Sequence, residues 1–180
     1  MPLASLIVED GTGLSTANSY VTFEEARDYT FRILNSYRSA WLDLDQFQVE
    51  QLCIWATQLL DDWVYFPGVF RLYQHQALNF PVTGLVDQFG VEVLHSPLPS
   101  FLKRATSQLA FELSKSDLVA EPTRGIAAAS VGPLSVTFDV DHLGSNTPRV
   151  IPRSVAVIVI PFGGVVRGSS GIRSIPVYRS

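Results

Sequence analysis

The sequence predicts a mainly α-helical chain: a three-helix core with a long ordered loop, a small β-hairpin, and a C-terminal helix or strand followed by an extended tail. Three observations predict it. Two capping-box start signals each precede an apolar stripe with helical spacing. A pair of prolines, Pro97 and Pro99, introduces a third such stripe. After Pro122 the apolar period falls from 3.6 to two. The corresponding organisation is a helical core with an N-terminal arm over residues 1–121, a β-hairpin over 122–147, and a C-terminal segment with an interaction tail over 148–180.

The first helix opens at Thr22, whose hydroxyl can cap free amides while Glu25, three residues on, reaches back. Phe23, Ala26, Thr30, Ile33 and Tyr37 then step by three and four, which buries one face and turns Glu24, Arg27 and Asp28 outward. Asp45 and Gln48 repeat the start signal for the second helix. Its stripe is Val49, Leu52, Cys53, Ala56, Leu59, Leu60 and Trp63, with Trp55 partly off it. Residues 66–98 carry prolines, glycines and aromatics without a sustained period, which reads as a long ordered loop anchored by Phe66, Phe70, Tyr73, Leu78 and Phe80. The third helix begins at Pro99, which wastes no amide in a first turn, and runs through Phe101, Leu102, Ala105, Leu109 and Leu113 to about residue 118.

Beyond Pro122, Leu134, Val136, Phe138 and Val140 alternate with Ser135, Thr137 and Asp139. A second strand around residues 126–131 precedes Gly132-Pro133, so the pair reads as a hairpin. Residues 155–160 satisfy two templates at once. Their β-branched side chains favour a strand, whereas Val155, Ile158, Val159 and Phe162 fit helical spacing.

Composition narrows the function classes. With 180 residues and 47% apolar content the chain can build a real core. No run reaches the roughly 18–20 apolar residues of a membrane span, and residues 1–16 lack a basic start, so a soluble, unsecreted chain is expected. The lone Cys53 excludes an internal disulfide and fits a reducing compartment, as buried filler. The net charge of -4 is unevenly spread: residues 1–63 hold ten acids against three arginines, and the chain after Asp141 holds five arginines and no acid. A pI near 5.3 disfavours duplex binding and suits docking to protein, or to copies of the same chain.

No catalytic constellation assembles from the sequence, and no catalytic residue, metal ligand or cofactor is assigned. His75 and His95 stand apart without ligands at metal spacing. Asp139-Val140-Asp141-His142 places two carboxylates and an imidazole together but lacks the remaining positions of a calcium loop, and reads as the wet face of a strand. Asp61 and Asp62 point about 100° apart on a helix, which reads as a solvated helix end. Gly11-Thr12-Gly13 and Gly163-Gly164 lack a phosphate-loop lysine and read as turns or hinges. Stacking of single-stranded bases needs rings beside cations, yet Phe66, Phe70, Tyr73 and Phe80 share their loop with Arg71 alone. Lys103, Arg104 and Lys115 on the third helix are interrupted by an apolar face.

Several strings, in order along the chain, carry a family resemblance. They are Ala17-Asn18-Ser19-Tyr20-Val21-Thr22-Phe23-Glu24-Glu25-Ala26, Trp41, Ala56-Thr57-Gln58-Leu59-Leu60-Asp61, Phe66-Pro67-Gly68, Gln76-Ala77-Leu78-Asn79-Phe80-Pro81, Pro99, and Val131-Gly132-Pro133-Leu134-Ser135-Val136. Over residues 18–162, about four fifths of its length, the chain resembles the head–tail connector or adaptor (head completion) proteins of tailed bacteriophages, a family also labelled DnaT-like single-stranded-DNA-binding proteins. The resemblance implies a structural, non-enzymatic homo-oligomer, a ring of about a dozen copies in the virion neck. Such a ring is assembled in the host cytoplasm, sits beneath the portal protein, and docks the tail-terminator or the next neck or tail protein. Genomic DNA passes through its channel without specific binding, and neither cofactor nor membrane is involved. Two departures stand out: Val82 follows Pro81 where relatives usually carry a basic residue, and the chain continues through residues 163–180.

Within that reading Glu24 and Asp28 are candidate channel-facing acids, since a negative wall does not hold a passing phosphate backbone. Arg153, Arg167, Ile172, Arg173, Tyr178 and Arg179 are the candidate docking residues of the C-terminal segment, and Phe66, Phe70 and Phe80 the loop anchors. The competing reading is a single-stranded-DNA-binding replication accessory protein.

Overall fold

The computed structural model describes residues 5–32, 37–115, 128–131, 134–137 and 151–166. Its helices are α1 (Phe23–Phe31), α2 (Arg38–Leu42), α3 (Gln46–Trp63), α4 (Ser100–Lys115) and α5 (Arg153–Val159), the last continued by a 3₁₀ turn over Ile160–Phe162. The strands are short: β1 (Val64–Tyr65), β2 (Phe70–Arg71), β3 (Val82–Thr83), β4 (Ala128–Val131), β5 (Leu134–Thr137) and β6 (Val165–Val166). They pair two by two, all antiparallel, as β1–β6, β2–β3 and β4–β5. The protein is mainly α.

Both capping boxes form. Thr22 Oγ1 accepts from the Glu25 amide and Glu25 Oε2 accepts from the Thr22 amide, each at 3.1 Å. Asp45 and Gln48 make the same reciprocal pair at 2.7 and 3.0 Å. Such a cap supplies about 1 kcal/mol by satisfying amides that a helix start leaves open. Glu25 also receives Lys103 Nζ at 2.6 Å, tying α1 to α4, and Tyr29 Oη donates to Gln108 Oε1 at 3.1 Å along the same seam.

The core is continuous. Val49, Cys53, Ala56, Leu60 and Trp63 of α3 face Phe101, Leu102, Ala105 and Leu109 of α4, and Ala26 of α1 and Val155 and Val159 of α5 join the same cluster. Residues 155–160, which fit helix and strand equally by period, are therefore helical through Val159: packing on α4 needs a side chain every three to four residues, and Val155, Ile158 and Val159 supply it. The hairpin expected around Gly132-Pro133 pairs Val131 with Leu134 and Ala128 with Thr137.

The first helix ends earlier than its period suggests. It stops at Phe31, Tyr37 is solvent-exposed, and the separate helix α2 follows. Ile33 lies outside the described residues. Trp41 explains the break, because it enters the core from α2 and meets Phe111 edge-on at 5.8 Å. Arg27 Nη2 donates to the Leu42 carbonyl at 2.6 Å and fastens the end of α2 against α1. A local apolar period carries no information about where the chain must turn to deliver such a ring.

Candidate functional site

Where the C-terminal end of α3 meets the long loop, a cleft of about 190 Å³ opens. Val64, Phe66, Val69, Phe80, Val82 and Leu102 give it an apolar wall, and Asp61 and Arg71 are its charged members. Asp61 is not the solvated helix end that its neighbour Asp62 is. Its Oδ1 accepts from the fully buried Tyr20 hydroxyl at 2.6 Å and its Oδ2 from the Asn79 amide at 2.9 Å, while the Asn79 side chain donates to the Asp61 carbonyl at 3.0 Å. The Tyr20 hydroxyl in turn accepts from the Phe80 amide at 3.1 Å. Four hydrogen bonds thus join the segment before α1, the end of α3 and the Asn79-Phe80-Pro81 loop. Burial pushes the Asp61 carboxyl up to about 6, outweighing the two donors that favour its charge. Burial first, and then the Asp61 charge, hold Tyr20 protonated far above the usual phenol range.

Four aromatic rings of this region pack on one another beside the cleft. Phe66 meets Phe80 at 5.3 Å and Phe101 at 5.9 Å, both edge-on, and Phe101 stacks on Phe162 at 4.0 Å. Phe66 and Phe80 thereby hold the loop to the core. Phe70 does not: on β2 it is 74% exposed, and the loop's other fastener is Arg71. Arg71 Nη2 donates to the Gln76 and Leu78 carbonyls at 2.7 and 2.8 Å, and Gln76, itself buried, donates to the carbonyls of Leu78, Asn79 and Pro81. Satisfying those inward carbonyls needs donors, which Arg71 and Gln76 have and a phenyl ring lacks.

Glu24 and Asp28 lie exposed, one turn apart, on the outer face of α1. Arg27 between them is turned aside, bonded to Leu42 and lying over the Phe23 ring at 5.2 Å, so it does not neutralise that face. Arg153 is exposed in the first turn of α5. Arg167, Ile172, Arg173, Tyr178 and Arg179 lie outside the described residues, as does Asp139-Val140-Asp141-His142. Among the described residues no group of three or more His, Cys, Asp or Glu is placed to hold a metal ion, and no helix is long and apolar enough to cross a membrane. Cys53 is buried, and burial pushes its thiol up to about 12.

Two features were not read from the sequence. Glu9 is 1% exposed, and its carboxylate accepts from the amides of Gly11, Gly13 and Leu14 at 2.8–2.9 Å, so the Gly11-Thr12-Gly13 turn wraps an acid. Gly11 sits at φ 99°, where a Cβ would fall 2.6 Å from the His95 carbonyl oxygen. The second feature is a tight hairpin over residues 85–93. Val93 N donates to Leu85 O, Gly90 N to Asp87 O, and Asp87 N to Val91 O, and Asp87 Oδ1 takes the amides of Phe89 and Val91, both at 2.9 Å. Its signal was present: Asp at the first and Gly at the fourth position of Asp87-Gln88-Phe89-Gly90 is the signature of a type I turn closed by a left-handed glycine, here at φ 79°. The turn holds Phe89 outward, 80% exposed, among exposed Val86, Val91 and Leu94.

The fold is that of a small, mainly α protein whose cleft joins an apolar wall to Asp61 and Arg71. The family follows from sequence. A family model described as "Putative DnaT-like ssDNA binding protein" matches residues 4–180, and the chain belongs to that family. No curated protein and no solved structure matches the chain.

Proposed function

We propose that the chain is a head–tail adaptor of a tailed bacteriophage, a subunit of a ring that sits under the portal protein, surrounds the DNA channel and docks the tail-terminator or the next neck or tail protein. One observation carries the reading against single-strand binding: Arg71, the one arginine or lysine of the loop, is committed to the backbone carbonyls of Gln76 and Leu78, and Phe66 and Phe80 are packed into the core, so the loop's exposed rings, Phe70, Tyr73 and Phe89, share it with no uncommitted cation. The outward surface supports protein docking instead, with the exposed acids Glu24 and Asp28 on α1 and an apolar hairpin tip at Phe89. The ordered landmarks from Ala17 to Val136 point the same way. Docking through Arg153 and the C-terminal residues, location in the virion neck and the absence of catalysis belong to this proposal.

The test is native mass spectrometry of the chain mixed with the portal protein of the same genome, run beside a salt titration of oligonucleotide binding. A complex heavier than the portal ring by about a dozen chains is expected, with no measurable oligonucleotide affinity at physiological salt. Absence of that complex together with salt-sensitive capture of single-stranded DNA would replace the adaptor by the replication accessory reading.

A further inference from the structure

We infer that copies of this chain join head to tail, the Phe89 ring of one copy entering the cleft between α3, α4 and the long loop of the next. The two halves of the contact are both present on one chain. Phe89 projects from a turn locked by five hydrogen bonds around Asp87 and Leu85, so little order remains to be lost when it is gripped. The cleft is about 190 Å³ in volume, with an apolar wall of Val64, Phe66, Val69, Phe80, Val82 and Leu102 and a polar side of Asp61, Arg71 and Asn79. An apolar cavity of about 150 Å³ holds one benzene, so this cleft takes one phenyl ring, and it falls below the roughly 300 Å³ at which small-molecule sites begin. Phe89 is 80% exposed and so does not fill the cleft of its own chain.

Charge allows the same pairing. The hairpin carries Asp87 and Glu92 and no cation; of the two charged members of the cleft, Asp61 has both carboxylate oxygens bonded within its own chain, to Tyr20 and Asn79, while the carbonyl partners of Arg71 hold its guanidinium in place without cancelling its charge. A knob on one surface and its socket on another make a heterologous contact, which closes into a ring when the rotation between copies allows and otherwise runs on as a filament. This rests on the ring-forming reading above for closure alone; the contact itself follows from the hairpin and the cleft.

The experiment pairs single-cysteine variants. Chains carrying Phe89→Cys and chains carrying Val69→Cys are mixed, treated with a short bismaleimide and run on a denaturing gel; native Cys53 is buried and stays unreactive. Cross-linked dimer in the mixture and none in either variant alone is the expected result. In parallel, mass photometry and sedimentation follow the full-length chain, free and with portal protein. Phe89→Asp, at an exposed position, is expected to melt like the wild type and to weaken self-association at least about 30-fold, the effect of losing an interface hot spot. Wild-type-like assembly of Phe89→Asp, or no cross-link in the mixture with or without portal protein, overturns the contact. Portal binding that survives Phe89→Asp with an intact ring removes this contact and leaves the adaptor reading standing. Phe89-dependent self-association without portal binding does the reverse.

Discussion

Tyr20→Phe is the sharpest probe of what fixes the cleft. The substitution keeps the ring, which lies edge-on to Phe80 at 6.2 Å, and deletes one oxygen. That oxygen makes two bonds, donating to Asp61 Oδ1 at 2.6 Å and accepting from the Phe80 amide at 3.1 Å. A hydrogen bond to a charged group contributes about 1.5–3 kcal/mol, and a buried amide left without a partner costs about 1–3 kcal/mol. Asp61 is only half-buried, so water at the cleft mouth replaces part of the first term, and the expected loss at neutral pH is about 2–4 kcal/mol, a large share of the stability of a small protein. The loss depends on pH. Because the folded carboxyl of Asp61 sits near 6 and the unfolded one near 3.8, the folded state holds its proton more tightly, and the contribution of Asp61 to stability falls as pH rises from about 4 to about 6. Removing the Tyr20 hydroxyl raises the folded value further, since its bond favours the charged form, so the variant's deficit grows between pH 4.5 and pH 7.5. Urea unfolding followed by fluorescence of buried Trp41 and Trp63 measures it, with the wild type subtracted at each pH so that other carboxyls cancel. A difference under about 0.5 kcal/mol at both pH values would refute the account, being no more than an ordinary surface change.

Three further outcomes follow from the same geometry. Glu9→Ala leaves three amides without their acceptor and is expected to cost about 2–4 kcal/mol in chemical denaturation, whereas Asp10→Ala beside it, which loses only exposed bonds to Thr12, is expected to leave the denaturation midpoint close to the wild type. Replacing Glu24 and Asp28 together by lysine is expected to shift stability by no more than about 1 kcal/mol, the scale of charge effects on an exposed helix face, while slowing DNA passage in an ejection assay; unchanged ejection would move the channel to another face. Truncation after Val166 preserves the β1–β6 pairing and is expected to leave the melting temperature within a few degrees while weakening capture by immobilised portal protein at least about tenfold. Unaltered capture would show that residues 167–180 do not dock.

Much of this protein is written in short-range signals. Thr22 with Glu25 and Asp45 with Gln48 start helices because the groups that satisfy the first amides lie within three residues of them, and Pro99 precedes α4 for a similarly local reason. The alternation after Gly132-Pro133 set the β4–β5 pairing, and the stripe of α3 named its own buried face. Other features depended on partners far along the chain. The period of residues 155–160 fits two structures, and contact with α4 selected the helix. Asp61 and Glu9 carry no sequence mark that separates them from surface acids; Tyr20 and Asn79 approach Asp61 across 41 and 18 residues, and the Glu9 turn closes against His95. Phe70 and Phe89 look in sequence like any anchoring phenylalanine, yet Arg71 and the Asp87 turn took the inward hydrogen bonds and left both rings outside. The sequence by itself thus determined where helices and turns begin, because capping and periodicity act over a few residues. The tertiary structure decided which acids are buried, which rings are free and where the cleft lies, because burial and hydrogen-bond satisfaction are settled only when distant segments meet.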